Sequence, residues 1–419
     1  MNVHHILLEL KPDGALEQLK GSLAPGDVVV VAPGEALLAR YEALLERQLS
    51  ERKDVRPALK ELRNEFKALA GSPAFDEVAD RTVERIYMVL CQGMSLSFRD
   101  NSLTEYLKAY LARLSADCLA ALLGAQASLD GRDYIVCETQ GSIPVVDRML
   151  TDQAIAGLSR DGVTVVSGGF GRKVTGETVS LGRGGSELAA YIFGAVLHAG
   201  AVRCYVPGFC DETLSALSYE EASQRFAQGG PVFPPALLPA KKAGLSIEVE
   251  GKTALRIAPA DTLAGGKGIT GIVSSGPMTL FTVYGTGLLG SIGISSAIFG
   301  ALARDGVNIH FISQSLSEYS ISFAVKRSDA APAQEALRAL FSGRSADISF
   351  DGRPVEIVSV FGQRMKHVPG ISGKVYSALG DAEINVLAAS QGGEELSISI
   401  VLDEADSQRA REILSQLKA

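Results

Sequence analysis

The chain has 419 residues, 46% of them hydrophobic and 21% charged, with a formal net charge of −8. That length holds two or three domains with sizeable cores. The acidic balance argues against a nucleic-acid partner, which would show a basic face, and no apolar run long enough to span a membrane is free of polar breaks.

In chain order, Ile6–Leu10 reads as a strand. Asp27–Ala32 follows a Pro-Gly turn, and its continuous β-branched run suits a strand buried on both faces. Residues 35–125 carry apolar side chains at three- and four-residue spacing, so this stretch is expected to be largely helical. Asp133–Cys137, Val163–Ser167 and Val202–Val206 read as three further strands. Alternating strands and helices imply an α/β domain with a mostly parallel sheet covered on both faces. Residues 246–277 are Gly-rich and short-stranded, and are expected to connect to a new domain.

The N-terminus shows no basic region followed by an apolar stretch, and the five cysteines (Cys91, Cys118, Cys137, Cys204, Cys210) have no CxxC spacing. Buried reduced thiols in a cytoplasmic protein without a metal site are therefore expected. Cys204 and Cys210 are near enough to pair or ligate, but no histidine cluster supports them. His4 and His5 read as a surface pair.

The most informative stretch runs from Ser167 to Glu187. It reads as strand end, glycine turn (Gly168, Gly169, Gly171), polar hairpin, second glycine turn (Gly182, Gly184, Gly185), then helix. Such turns let backbone N–H groups approach an anion closely, and a helix start adds its own free donors. Ser180, Arg183 and Ser186 supply further donors, and Arg183 can grip a carboxylate in a bidentate pair. Read structurally, the same glycines could be needed by the fold alone.

The C-terminal third contains an internal repeat at an offset of 77 residues. Leu280–Gly285 matches Ile357–Gly362, Gly293 matches Gly370, Asn308 matches Asn385, Gln314 matches Gln391, and Ser320–Ser322 matches Ser397–Ser399. Each copy reads strand, helix, strand, strand, helix, the split βαβ or ferredoxin-like unit. The amides of Gln314 and Gln391 can hold a ligand amino acid or cap backbone.

The stretch Leu181-Gly182-Arg183-Gly184-Gly185-Ser186-Glu187, the segment Leu217-Ser218-Tyr219-Glu220-Glu221 and the run from Gly287 to Phe323 resemble the aspartokinase family, the last being nearest to the threonine-sensitive type. The resemblance covers residues 100–419 well and the first hundred poorly. It implies an amino-acid-kinase, carbamate-kinase-like three-layer domain over 1–245, a connector over 246–277, and two ferredoxin-like ACT domains over 278–345 and 355–419. It further implies a homodimer joined through ACT domains and a threonine or lysine effector. The effector would be held by Gly287, Leu288, Gly290, Gly293, Asn308, Ile309, Gln314 and Glu318, with Asn385 and Gln391 in the second copy. ATP and magnesium would be the cofactors if the chain is active, and none otherwise.

Acyl-phosphate chemistry needs cations on the transferring phosphoryl group. Where the family has Lys-Phe-Gly-Gly, this chain has Lys11-Pro12-Asp13-Gly14, so Lys11 and Gly14 are the remaining candidates there. Pro231 replaces the lysine of Gly-Ala-Lys-Val-Leu-His-Pro. The nucleotide loop is shortened to Pro207–Glu212, leaving Asp211 and Glu212 as metal-facing carboxylates or as a solvated turn. The nucleotide side thus comprises Gly14, Gly168, Gly169, Gly171 and Asp211, with Lys11 and Arg183 as catalytic candidates. The substrate side comprises Ser180, Arg183, Gly184, Gly185, Ser186 and Glu187. Glu187 replaces an aspartate, and Ala112 replaces a glutamate expected near a substrate ammonium. Three readings stay open. One is a catalytically impaired homologue acting as a regulatory or partner subunit. Another is an ATP-dependent kinase for L-aspartate or a related carboxylate with a remodelled site. The third is a scaffold for ACT dimerisation.

Overall fold

A computed structural model describes the chain except residues 12–13, 50, 52, 96–100, 141–142, 160, 212–213, 228, 264–267, 317–318, 343–346, 363–364, 366–367, 393–395 and 418–419. The chain divides into two compact units, residues 1–263 and 264–419.

The first unit runs β1 (Val3–Leu8), α1 (Ala15–Ser22), β2 (Val28–Pro33), α2 (Glu35–Leu49), α3 (Arg56–Ala70), α4 (Pro73–Ser95), α5 (Asn101–Leu123), β3 (Ala127–Leu129), β4 (Val136–Gln140), β5 (Ile143–Val146), α6 (Arg148–Ala156), β6 (Thr164–Ser167), β7 (Phe170–Lys173) and β8 (Thr178–Ser180). It continues α7 (Gly185–Val196), β9 (Ala201–Tyr205), β10 (Ala216–Ser218), α8 (Tyr219–Arg225), α9 (Leu238–Ala243), β11 (Ser246–Glu250) and β12 (Ala254–Ala258). Eight strands form one sheet in the order β10-β12-β11-β9-β1-β2-β6-β3, with every pairing parallel except β11 with β12. The register sets Val3 beside Val28 and Val28 beside Thr164.

The β-branched run of β2 is buried at every position, as a central strand of a doubly covered sheet requires. Val29 and Val31 join the core built with α1 to α5, around Tyr41, Phe66 and Leu111. Val30 faces the other way, toward α7, where its methyl group lies 2.9 Å from the place a Cβ on Gly168 would take.

Three expectations are corrected here. The strand near residue 133 begins at Val136 and lies in a separate four-stranded sheet, β5-β4-β7-β8, because it pairs with the glycine hairpin and not with β6. Residues 246–258, read as connector, form β11 and β12 of the main sheet. His4 and His5 are buried, because β1 is a central strand flanked by β2 and β9. His4 Nε2 lies 3.0 Å from Asp27 Oδ2 and its Nδ1 3.0 Å from the Tyr205 hydroxyl. Asp27 also accepts main-chain N–H bonds from Asn2 and Ala24, so this buried carboxylate is fully engaged.

The second unit runs β13 (Gly271–Tyr284), α10 (Ile294–Arg304), β14 (Ile309–Gln314), β15 (Ser320–Lys326), α11 (Ala330–Leu340), β16 (Ser349–Phe361), α12 (Ile371–Asp381), β17 (Ala388–Gln391), β18 (Ser397–Asp403) and α13 (Ser407–Ser415). The repeat is visible in three dimensions. Each copy places two helices over one face of a single six-stranded sheet, β14-β15-β13-β16-β18-β17. The matched hydroxyl pairs Thr282–Ser322 (3.0 Å) and Ser359–Ser399 (2.8 Å) recur in both copies. The long strands β13 and β16 serve both. Gly271–Ser275 pairs with Ile357–Phe361, whereas Thr279–Tyr284 pairs with Ser349–Pro354. Residues 271–277, read as the end of a connector, therefore begin β13.

Candidate functional site

A cleft of about 490 Å³ opens beside the C-terminal ends of β1, β2 and β6, where the glycine turns meet the start of α7. Ligands of open α/β sheets bind at such strand ends. Gly168, Gly169, Ser180, Arg183, Gly184, Gly185, Ser186 and Glu187 all line it, together with His5, Lys108 and Phe233.

The glycines have distinct physical reasons. Gly184 sits at the helix start with φ +70°. A Cβ there would meet the Phe233 ring at 2.2 Å. Gly168 lets α7 approach β2, since its Cβ would lie 2.9 Å from both Ser186 Cβ and Val30 Cγ1. Gly171 is buried in β7 against the Ile135 carbonyl, where packing leaves no room for a Cβ, and it does not line the cleft. The Ser180 hydroxyl accepts the Gly182 N–H at 3.2 Å and shapes the turn that presents Arg183.

Arg183 is exposed, its guanidinium 5.3 Å from the centre of the Phe233 ring. The first-turn N–H groups of α7 have no intrahelical acceptor and face the same side of the charge balance as Arg183, favouring an anion. Ser186 Oγ lies 3.0 Å from His5 Nε2. Burial pushes the His5 imidazole down to about 4, so it is neutral and orients the hydroxyl without adding charge.

Glu187 is already engaged. Its Oε2 accepts the Phe233 main-chain N–H at 2.7 Å and the Tyr191 hydroxyl at 3.4 Å. Burial pushes its carboxyl up to about 7, against the lowering effect of those two bonds and of nearby Arg183. Ala112, at the position of the glutamate expected near an ammonium, is buried and does not line the cleft.

Lys108, from the helical insertion, was not singled out by any motif. It bonds Glu42 at 2.7 Å and Glu105 at 3.1 Å. Burial lowers its affinity for a proton, but the two carboxylates outweigh it, so its pKa is raised and it stays charged. The pairing of Glu105 and Lys108 at i, i+3 is legible in sequence, but their place in the cleft is set by how α5 packs.

Lys11 and Gly14 are elsewhere. Lys11 is exposed beyond the end of β1, Gly14 starts α1 with φ +88°, and neither lines the cleft. Pro12, Asp13 and Glu212 lie outside the described residues. A second hollow of about 390 Å³ is lined by Phe209, Cys210, Asp211, Arg225, Phe226 and Pro231, among others. Asp211 there pairs with Arg225 at 3.1 Å. Among the described residues no group of three or more His, Cys, Asp or Glu is placed to hold a metal ion. Cys204 is buried and Cys210 exposed, and both are free thiols, which corrects the expectation that all five are buried.

In the second unit a hollow of about 330 Å³ brings together Leu288, Gly290, Gly293 and Gln314 at the start of α10. Gly287 packs instead on Ile348, Ile309 joins the core, and Asn308 reaches His310 Nε2 at 3.4 Å. In the second copy Asn385 is exposed, and the Gln391 amide oxygen accepts the Ser372 hydroxyl at 3.3 Å. Glu318 lies outside the described residues.

Comparison with known proteins agrees with this fold. The sequence model of the amino acid kinase family matches residues 14–250, and that of the ACT domain matches residues 281–341 and 358–417. The chain is 31% identical over 314 residues to the chloroplastic bifunctional aspartokinase/homoserine dehydrogenase of Daucus carota, covering 67% of this chain and 34% of that protein. It is 28% identical over 282 residues to the aspartokinase of Bacillus sp. (strain MGA3), covering 62% and 67%. It spans about a third of the length of the bifunctional relatives. Its fold superposes on E. coli aspartokinase III, solved with lysine and aspartate, with a TM-score of 0.81, 19% identity and full coverage of both chains. At that identity the likeness is one of fold. The chain belongs to the amino acid kinase family and has the aspartokinase arrangement of one amino acid kinase domain followed by two ACT domains.

Proposed function

We propose that this chain is a carboxylate-binding, amino-acid-sensing member of the aspartokinase family whose phosphoryl transfer is impaired. The observation that carries this reading is the charge around the cleft. Among the described residues lining it, Lys108 is held by two glutamates, and Arg183 is the cation with no carboxylate in ion-pair contact. Removing one charged donor from such a site commonly costs roughly 10²–10³ in rate. Here Pro231 stands at one lysine position and Lys11 lies outside the cleft.

The ACT module would take an amino acid in the hollow around Gln314, threonine or lysine being the candidates. The aspartokinase III comparison structure contains lysine. Ile292 and Leu316 stand fully exposed on this module, which supports a homodimer joined through ACT domains. A partner enzyme would be served by the same surface.

The test is calorimetry with ATP and magnesium, followed by hydroxamate trapping of any acyl phosphate formed with L-aspartate. No trapped product, with a thermal shift from threonine or lysine, is expected. Product at rates ordinary for a kinase would sink the reading. It would favour the alternative of an active kinase with a remodelled site, for which the kept Arg183–Glu187 stretch at the start of α7 is the observation in favour.

A further inference from the structure

We propose that Glu35, at the start of α2, receives the ammonium group of an amino acid whose carboxylate sits on Arg183. This rests on the carboxylate reading of the cleft given above.

Charge divides the cleft into two walls. On one, Arg183, the Ser186 hydroxyl and the first turn of α7 favour an anion. The other comes from the helical insertion. Glu35, Leu38 and Glu42 line it at i, i+3 and i+7, so one face of α2 is turned into the cleft. Glu105 and Lys108 complete it from α5. Among the described residues, Glu35, Glu42 and Glu105 against Lys108 leave this wall negative. Glu42 and Glu105 are both paired with Lys108. Glu35 is exposed and, among the described residues, has neither an ion pair nor a hydrogen bond.

A glutamate in a first turn commonly serves the helix start itself. Here Glu9 does that. Its two oxygens accept the Ala36 N–H at 3.1 Å and the Leu37 N–H at 3.3 Å. It is seated so closely that a Cβ on Gly34 would lie 2.1 Å from Glu9 Oε1. The Glu35 carboxylate is thereby left for the cleft. Glu187 is the rival acid. It is half-buried, and its Oε2 is tied to the Phe233 N–H and the Tyr191 hydroxyl, so Glu35 is the freer of the two to meet a cation.

L-Aspartate and succinate differ by the ammonium alone, and calorimetric titration of the full chain with each at pH 7.5 is the test. In Glu35→Gln, L-aspartate should bind about five- to tenfold more weakly. Succinate should bind as before or more tightly, since a repelling carboxylate has gone. Both signals should vanish in Arg183→Met. Glu35 is exposed, so Glu35→Gln should unfold at the wild-type midpoint. Equal weakening of both ligands would mean that Glu35 acts on the shape of the cleft, and overturns the proposal. L-Aspartate binding unchanged in Glu35→Gln also overturns it, and a selective loss in Glu187→Gln would then make Glu187 the anchor. In both cases binding that still depends on Arg183 leaves the carboxylate reading standing. No Arg183-dependent binding of either ligand at millimolar concentration overturns both.

Discussion

The Phe233 main-chain N–H donates to Glu187 Oε2 at 2.7 Å, joining the loop after α8 to the first turn of α7. This bond ties down a residue that the family resemblance places on the substrate side. Arg183 stays exposed in the lining of the same cleft.

Glu187 should make stability depend on pH. Burial raises its carboxyl from 4.5 to about 7 in the folded state. Between those values the unfolded chain ionises while the folded chain holds its proton, so this group's contribution is intact below about 4.5 and falls as pH rises toward 7. Glu187→Gln should flatten the profile. Relative to wild type it should gain on the order of 1–3 kcal/mol between pH 4.5 and pH 8. Urea unfolding of both proteins across that range checks it, and parallel profiles would refute it.

Gly168→Ala should disturb the cleft from behind. Its methyl group would meet Ser186 Cβ and Val30 Cγ1 at 2.9 Å, forcing α7 away from β2. A loss of about 1–3 kcal/mol is expected, as for overpacking, together with weaker carboxylate binding in the cleft. Denaturation and calorimetry on the same preparation measure both.

Asp27→Ala should be among the most damaging single changes in the first unit. The carboxylate is inaccessible and serves His4, Asn2 N–H and Ala24 N–H at once. Its removal leaves buried donors without acceptors, a loss of about 3 kcal/mol or more. Asp27→Asn keeps the volume but only one acceptor oxygen, so the loss it retains reports the hydrogen bonds and not a cavity.

The two ACT copies should respond unequally. Gln314 lines an open hollow, whereas Gln391 is bonded to Ser372. Gln314→Ala should abolish most of the thermal shift given by threonine or lysine, and Gln391→Ala should remove less. Equal losses would show that both copies bind alike.

If the ACT module forms the dimer, Ile292→Asp with Leu316→Asp should yield monomers. Both side chains are fully exposed in the single chain, and burying either aspartate in an interface would be costly. Sedimentation at micromolar concentration reads the outcome directly.

Local pattern carried a large part of the architecture. The buried valine run of β2, the helical block after residue 35 and the repeat of 77 residues each follow from periodicity or self-similarity, which report the environment of a residue's own neighbours. The glycine turns around Arg183 were legible too, because an open helix start needs those residue types. Periodicity does not reveal partners distant in sequence. It did not show that Val136–Gln140 joins the hairpin sheet, nor that Gly271–Ser275 pairs with Ile357–Phe361.

The same division runs through the site. Sequence by itself determined the family, the two kinds of domain and the presence of Arg183, Ser186 and Glu187 on one turn. Tertiary structure decided what those residues are free to do. His5 reaches Ser186 from 181 positions away, Lys108 is neutralised by Glu42 from another helix, and Phe233 reaches Glu187 from 46 positions away. Hydrogen bonds and ion pairs act over a few ångströms of space whatever the separation along the chain, so the availability of a charged group is a property of packing and not of motif.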